Sequence, residues 1–342
     1  MAMVSASSTG LNQSTGKSAL TVYVIIVTYN GEPWIEKCLQ TLLQGNYPIK
    51  ILIVDNGSTD RTQDILQQFP QVKLLPQTEN LGFGRANNVG IWYALQQQAD
   101  FVFLLNQDTF VEPDTISKLV ETAQNYPAYG LLSPTHMNGD GSALDANFAA
   151  CLLRPSNPSN TSLLSRSWSK QEEPVYPIGF VNAAAWLLSR RCLEMAGGFD
   201  PLFFFYGEDH DLFQRIQFHG FKTGLVSSAL IYHVRGKNPT GALSFRQQLQ
   251  KKAAYQNVVD EAFLKDISRP LFILSLLWFW RTIRKLVRML LQLRIMNILI
   301  LVSAAFKTAK DFPSLLQHRQ LNRQAGRHWI DDATNQRYIN NG

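Results

Sequence analysis

Three groups of carboxylates in this sequence stand where acid–base, metal or nucleotide chemistry could use them. Asp55 follows the apolar run Ile51-Leu52-Ile53-Val54, where a carboxylate can accept hydrogen bonds from a nucleobase or ribose; Asp55-Asn56-Gly57-Ser58 is equally good turn chemistry. Asp108 closes Leu104-Leu105-Asn106-Gln107-Asp108. One carboxylate plus diphosphate oxygens is a common way to hold Mg²⁺ or Mn²⁺, although Asp108 also suits a turn before Glu112-Pro113-Asp114. Tyr206-Gly207-Glu208-Asp209-His210-Asp211 sets three carboxylates within four residues. Acidic residues suit the positive end of a helix dipole, and one of them could instead take a proton from an incoming hydroxyl. The neighbouring Phe203-Phe204-Phe205-Tyr206 would shield that group from water or belong to the core.

Two further candidates accompany them. Gly82, Gly84 and Arg85 lie in Asn80-Leu81-Gly82-Phe83-Gly84-Arg85, where close backbone approach and a cation at a helix start can meet phosphate. A helix entry with a solvated Arg explains the same residues. His233 follows the apolar Leu230-Ile231-Tyr232, and a lone His is more often structural than a ligand. Its company makes it a metal candidate.

The elements that must position these groups alternate. Thr21 to Thr28 is β-branched and apolar, as expected of a strand covered on both faces. A helical stripe over Glu32 to Gln44 follows, then a strand at Ile51 to Val54, a helix entered at Thr59 and Asp60, and a short strand at Val72 to Leu75. A helix from about Arg85 to Gln98 leads to a strand at Phe101 to Leu105. This order predicts an α/β fold, a mostly parallel, doubly wound sheet that binds ligands beyond the carboxyl ends of its strands. Thr28-Tyr29-Asn30, Asp55 to Ser58 and Asn106-Gln107-Asp108 each follow a strand directly, so they should converge on one crevice. Residues 138 to 178, rich in Ser, Asn and Pro, are expected to form an irregular insertion that meets the acceptor.

Composition bounds the partners. The 342 residues are 45% apolar and 17% charged, enough for one large α/β domain over 21–245 and an extension over 246–342. Residues 1–20, rich in Ser, Thr, Gly and Asn, look like a disordered tail without a signal-peptide core. Cys38, Cys151 and Cys192 fit neither a disulfide framework nor a thiolate site, which suggests a reducing, cytoplasmic setting. From Arg246 onward 16 Lys and Arg face 6 Asp and Glu, so the extension carries +10 of the net +6 and the remainder −4. A weakly acidic catalytic half argues against a nucleic-acid partner.

Within the extension, Leu271 to Trp280 and Ile295 to Phe306 are apolar but too short to span a bilayer. Arg281, Arg284, Lys285 and Arg288 recur at helical spacing, opposite Ile283, Leu286, Val287, Leu290 and Leu293. Such a basic amphipathic helix can lie on an anionic membrane surface, making a peripheral enzyme on the inner face of the cell membrane. The competing reading is a helical appendage packed on the catalytic domain or in a homo-oligomer.

Taken in order, Val27-Thr28-Tyr29-Asn30, Val54 to Ser58, Asn80 to Gly84, Asn106-Gln107-Asp108, Gly197-Gly198-Phe199-Asp200, Gly207 to Asp211 and Tyr232-His233 resemble the family 2 glycosyltransferases of GT-A fold, especially the bacterial rhamnosyltransferase-like members. The resemblance covers residues 21 to about 240. It implies a nucleotide-sugar donor and a divalent cation, Mg²⁺ or Mn²⁺, with Thr28, Tyr29 and Asp55 around the nucleoside and Gly84 and Arg85 near the donor. The neighbouring Asn30, Asn106 and Gln107 join the donor site. Asp108 would bind the metal with His233 as a further contact, and Asp209 would be the general base with Glu208 beside it. Many relatives carry Asp-x-Asp where this chain has Asn106, which removes a negative charge but leaves a carbonyl able to coordinate or to bond ribose. A Gln-x-x-Arg-Trp motif of processive synthases is missing after Asp211, so addition of a single sugar, with inversion, to a glycan or lipid-linked glycan is expected. On the resemblance alone dTDP-rhamnose is the favoured donor. UDP-hexoses, nucleotidyl transfer and a non-catalytic glycan-binding protein are the alternatives.

Overall fold

A computed structural model describes residues 20–153, 173–235 and 244–331. At its centre is β1 (Val22–Thr28), paired in parallel with β2 (Ile49–Asp55) and β4 (Phe101–Asn106); β2 pairs in parallel with β3 (Lys73–Pro76). Ile25 packs into one apolar layer with Leu52, Val54, Val89, Leu104 and Trp186. Its neighbours Val24 and Ile26 pack into the other, with Leu39, Ile53, Phe103 and Leu105. Burial on both faces is why these strands are continuous apolar runs with no polar alternation. The intervening helices are α1 (Ile35–Leu43), α2 (Thr62–Leu66) and α3 (Phe83–Gln96). The last starts two residues before its expected position, because Gly82, at φ 80°, makes the turn that Leu81 could not make cheaply.

Beyond β4 come β5 (Thr109–Val111), α4 (Thr115–Asn125), β6 (Tyr129–Asn138), α5 (Ala146–Leu152), β7 (Tyr176–Pro177), β8 (Ala185–Ser189), α6 (Arg190–Ala196), α7 (Glu208–Phe218) and β9 (Lys222–His233). The sheet order is β3-β2-β1-β4-β8-β6-β9-β5, with β7 beside β9. Strands β1 to β4, β6 and β9 run one way and β5, β7 and β8 the other, so the sheet is mostly parallel with antiparallel strands in its second half. The expected irregular insertion is partly regular: it holds the end of β6, α5 and β7, while 154–172 lie outside the described residues, as do 1–19 of the tail.

The extension is helical, as expected: α8 (Phe245–Leu264), opened by a Ser244–Gln247 capping box, α9 (Leu271–Leu291) and α10 (Ile295–Asn322). Lys265, at the end of α8, is fully buried with its ammonium between Asp200 and Asp211, 3.0 Å from the latter. His318 and Asn322 of α10 reach Asp200 at 2.7 and 3.1 Å. This buried network fastens the extension to the part of the chain that holds the sheet.

The apolar stretch 271–280 and the basic stretch after it form the single helix α9. Its cations do not share one outer face. Arg281 pairs with Asp260 at 2.8 Å and Lys285 donates to Gln256 at 3.4 Å, both turned toward α8. Arg284 and Arg288 point away and line an open groove of about 500 Å³ with Trp280, Ile283, Val287, Leu291 and Gln292. Among the described residues, no helix is long and apolar enough to cross a membrane.

Candidate active site

The register of the parallel strands gathers the predicted residues. Thr28 stands opposite Asp55 and Val27 opposite Asn106, so three polar strand ends finish at one level. Gln107 ties two of them together: its Oε1 accepts from Thr28 Oγ1 at 2.6 Å and from Tyr29 N at 3.0 Å, and its Nε2 donates to Tyr29 O at 3.3 Å. A Cβ on Gly31 would collide with Thr28 Oγ1 and Gln107 Oε1, so the latch closes only over a glycine. Asn30, at φ 49°, accepts Thr59 N at 2.9 Å and joins the second strand end. Tyr29 keeps its ring 45% exposed at the mouth of this crevice, where it can cover a planar group.

Asp55 is fully buried. Its carboxylate accepts from Ser58 Oγ and N and from Gln63 Nε2, the last at 2.6 Å. It therefore holds the Asp55 to Ser58 turn in shape, and a nucleoside would share or displace the Ser58 and Gln63 bonds.

At Gly84 a Cβ would come within 2.9 Å of Phe199 Cβ and 3.6 Å of Glu208 Cβ, so the side-chain face of this glycine is packed by protein and the absence of a Cβ lets Phe199 approach. Arg85 is exposed in the first turn of α3 with its guanidinium 3.4 Å from Pro201 O, leaving its charge open to an anion. Two residues without a predicted role shape this region. Asn56 grips the loop by accepting from Leu81 N at 2.8 Å and donating to Asn80 Oδ1 at 2.9 Å. Asn88 clamps Phe199 through its backbone N and O at 2.8 and 2.7 Å. Both are buried, and no signal in their sequence neighbourhood, Asp55 and Gly57 for one and Asn87 and Val89 for the other, sets them apart.

On the other side of β4, the short strand β5 pairs Thr109 with His233, and Val234 N donates to Asp108 O at 2.9 Å. This brings His233 Nε2 to 3.3 Å from Asp108 Oδ1. Two ligands at right angles on a cation of Mg²⁺ size stand about 3 Å apart. Asp108 and His233 thus fit a cation that would take the rest of its shell from diphosphate and water. Among the described residues, no group of three His, Cys, Asp or Glu is placed to hold an ion alone.

Behind His233, Asp145 Oδ2 lies 3.9 Å from Nδ1, beyond hydrogen-bond distance but close enough to act on the ring electrostatically. Burial raises the Asp145 carboxyl, but the fork of Arg235 at 2.7 and 2.8 Å overrides it and brings the group down to about 2. Asp145 also caps α5 through Phe148 N at 2.9 Å. Neither Asp145 nor Arg235 was predicted, since nothing in their sequence neighbourhood points to His233.

The acidic run divides into three roles. Asp211 is buried between Arg215 Nε at 2.9 Å and Lys265 Nζ at 3.0 Å, so it is a structural anion. Glu208 is buried with Oε2 unbonded; burial, then the nearby Asp209, push it up to about 8, so it is protonated near neutral pH. Asp209 is half-buried, accepting from His210 N at 2.7 Å and from Ala183 N, and burial raises its carboxyl toward the range useful to a base. The next residue, Ala184, accepts Asn106 N at 2.9 Å. The Ala183-Ala184 segment therefore links the Asp209 carboxylate to Asn106 at the end of β4.

A family model described as "Glycosyl transferase family 2" matches residues 23–157, and one described as "Glycosyl transferase family group 2" matches 101–309. An N-acetylglucosaminyl-diphospho-decaprenol L-rhamnosyltransferase of Mycobacterium tuberculosis is 32% identical over 247 residues, covering 65% of this chain and 80% of that protein. The dTDP-rhamnosyl transferase RfbF of Shigella flexneri is 32% identical over 98 residues, covering 29% of this chain and 33% of that protein. Among solved structures, the mannosyltransferase PcManGT from Pyrobaculum calidifontis, in complex with GDP-Man and Mn²⁺, superposes with a TM-score of 0.51 at 17% identity, covering 85% of this chain and 87% of that one; the likeness is one of fold.

Proposed function

This chain belongs to glycosyltransferase family 2, and on that footing we propose that it transfers a single sugar, with inversion, from a nucleoside-diphosphate sugar to a hydroxyl of a lipid-linked glycan. The observation that supports this is the register that brings the strand ends Thr28, Asp55 and Asn106 to one level, with the Ala183-Ala184 segment touching Asn106 on one side and Asp209 on the other. In the reaction, Asp209 takes the proton of the acceptor hydroxyl, whose oxygen attacks the anomeric carbon as the bond to the diphosphate breaks. The nucleoside diphosphate leaves from the opposite face of the sugar. Tyr29 and the Thr28–Gln107 latch hold the nucleoside, and Arg85 meets the negative charge of the leaving group. A divalent cation held by Asp108 and His233 would, when bound, neutralise part of that charge.

The donor is dTDP-rhamnose, a choice supported by the names of the mycobacterial and Shigella relatives. The acceptor class, an N-acetylglucosaminyl diphospho-prenol, follows the mycobacterial relative. Such an acceptor is presented at a membrane, and the outward pair Arg284 and Arg288 with Trp280 and Val287 suits contact with an anionic leaflet on the cytoplasmic side.

The test is release of nucleoside diphosphate from a panel of nucleotide sugars, with and without Mn²⁺ or Mg²⁺, for the natural protein, Asp108→Ala and Asp209→Asn. Metal-dependent turnover of one donor is expected, lost in Asp108→Ala; in Asp209→Asn transfer drops by about 10²- to 10⁴-fold while donor binding persists. Binding of none of the panel by folded protein would sink the proposal and favour a non-catalytic glycan-binding protein. Conversion of a nucleotide sugar and added pyrophosphate to nucleoside triphosphate and sugar 1-phosphate, with no release of nucleoside diphosphate, would make it a nucleotidyltransferase.

A further inference from the structure

Between Asp200 and the catalytic turn, the chain exposes aromatic rings that its own folding does not use. Asp200 Oδ1 accepts Leu202 N at 2.9 Å, and Phe203 is buried at 1% exposure, which pins the base of the segment. Phe204, Phe205 and Tyr206 then stand 55%, 47% and 66% exposed. Rings left in water beside a reacting group are an expense to the fold and a common mark of a binding surface.

Their placement is fixed. Phe204 lies on Gly82, where a Cβ would come within 2.9 Å of its ring. Its ring meets that of Phe205 edge-on at 5.0 Å. Tyr206 takes φ 67°, a left-handed conformation that strains a non-glycine residue, and Gly207 follows at φ 86°. The Tyr206 ring meets Tyr255 of α8 edge-on at 5.9 Å, and a Cβ on Gly207 would touch Val258 of the same helix at 2.8 Å. The exposed rings thus run from the start of α3, on the donor side, to the residue before the helix that carries Asp209, with α8 as the outer wall.

We propose that Phe205 and Tyr206, flanked by Phe204 and by Tyr255 of the C-terminal extension, form the acceptor subsite, receiving the apolar face of the sugar that carries the attacking hydroxyl. This rests on the glycosyltransfer reading above and assigns the site of its second substrate. The C–H face of a pyranose packs on an aromatic face, and its hydroxyls then point along the ring plane, one of them toward Asp209.

The test uses initial-rate kinetics with a short-chain N-acetylglucosaminyl diphospho-prenol as acceptor and the donor identified from the panel. For Phe205→Ala and Tyr206→Ala, the acceptor KM should rise roughly three- to ten-fold with the donor KM unchanged. Tyr206→Phe should stay within two-fold, since the face and not the hydroxyl is used. Tyr126→Ala, an exposed ring at the opposite end of the sheet, should alter neither constant. Unaltered acceptor KM in both alanine variants, with unfolding curves matching the natural protein, would overturn the inference while leaving the glycosyltransfer reading intact. Failure of the natural protein to turn over any donor would instead refute that reading and this inference with it.

Discussion

Replacing Lys265 with Met should be the most damaging single change outside the crevice. Its ammonium is completely buried between Asp200 and Asp211, and Met keeps the length of the side chain while deleting the charge. Asp211 would still hold Arg215 at 2.9 Å, whereas Asp200 would be left with His318 and Asn322. Removing one partner of a buried ion pair costs about 3–5 kcal/mol, because the other charge stays desolvated. That is a large share of a typical stability of about 5–15 kcal/mol. Urea unfolding followed by tryptophan fluorescence measures it, since Trp329 donates to Asn322 Oδ1 at 2.8 Å and lies 4.5 Å from the His318 ring. Adding Asp200→Asn to Lys265→Met should return at least about 1 kcal/mol. The acid limb should change as well. Burial raises the Asp200 carboxyl, but Lys265 and His318 hold it well below the carboxylate range, so its contribution is present above pH of about 4 and is lost as pH falls toward its folded value. Lys265→Met should flatten that acid loss. A change below about 1 kcal/mol, with the acid limb unaltered, would refute the view that this network fastens the extension.

Other changes probe the site and the outer face. Glu208→Gln should be near neutral in stability below pH of about 4.5 and increasingly stabilising above it, up to pH of about 8; the raised carboxyl contributes stability below pH of about 4.5 that is lost as pH rises through about 8, and Gln abolishes that loss in pH-dependent melting curves. Gln107→Ala removes the acceptor of Thr28 Oγ1 and Tyr29 N and should raise the donor KM about five- to thirty-fold, corresponding to about 1–2 kcal/mol, with little change in the acceptor KM. Arg284→Glu with Arg288→Glu should abolish sedimentation with vesicles containing anionic phospholipid, each arginine contributing about 1 kcal/mol at such a surface, whereas Arg281→Ala should mainly lower stability through Asp260. Equal vesicle binding by the double variant would locate membrane contact elsewhere or remove it.

How far the sequence could be read depended on the range of the interactions. The apolar runs of β1, β2 and β4 are legible because burial on both faces leaves no polar alternation, and the polar clusters after them fall in register, as Thr28 opposite Asp55 demonstrates. Asp108 and His233 could be proposed together only through resemblance, because the three-residue strand β5 that joins them is too short to leave a pattern. Gly84 was expected near a phosphate since its neighbours suit one; its contact with Phe199 depends on a segment more than a hundred residues later. The cations of α9 show the limit of periodicity. Spacing puts Arg281, Arg284, Lys285 and Arg288 on one broad arc, but the approach of Asp260 and Gln256 from α8 divides that arc into an inward and an outward half.

The acidic run shows why three carboxylates can share four residues. A helix start favours negative charge, but only by about 0.3–1 kcal/mol per group, too little to offset burial of three anions. The fold resolves this by giving each a different state. Asp211 turns inward and is neutralised by Arg215 and by Lys265 from the extension. Glu208 has no cation and keeps its proton until pH of about 8. Asp209, between them and held by Ala183 and His210, is left as the group that can accept a proton from outside. The neutralisation of Asp211 thus depends on a lysine contributed by the C-terminal helices. The same helices set Tyr255 and Val258 against Tyr206 and Gly207, so the extension both balances a charge of the acidic run and walls the aromatic segment before it.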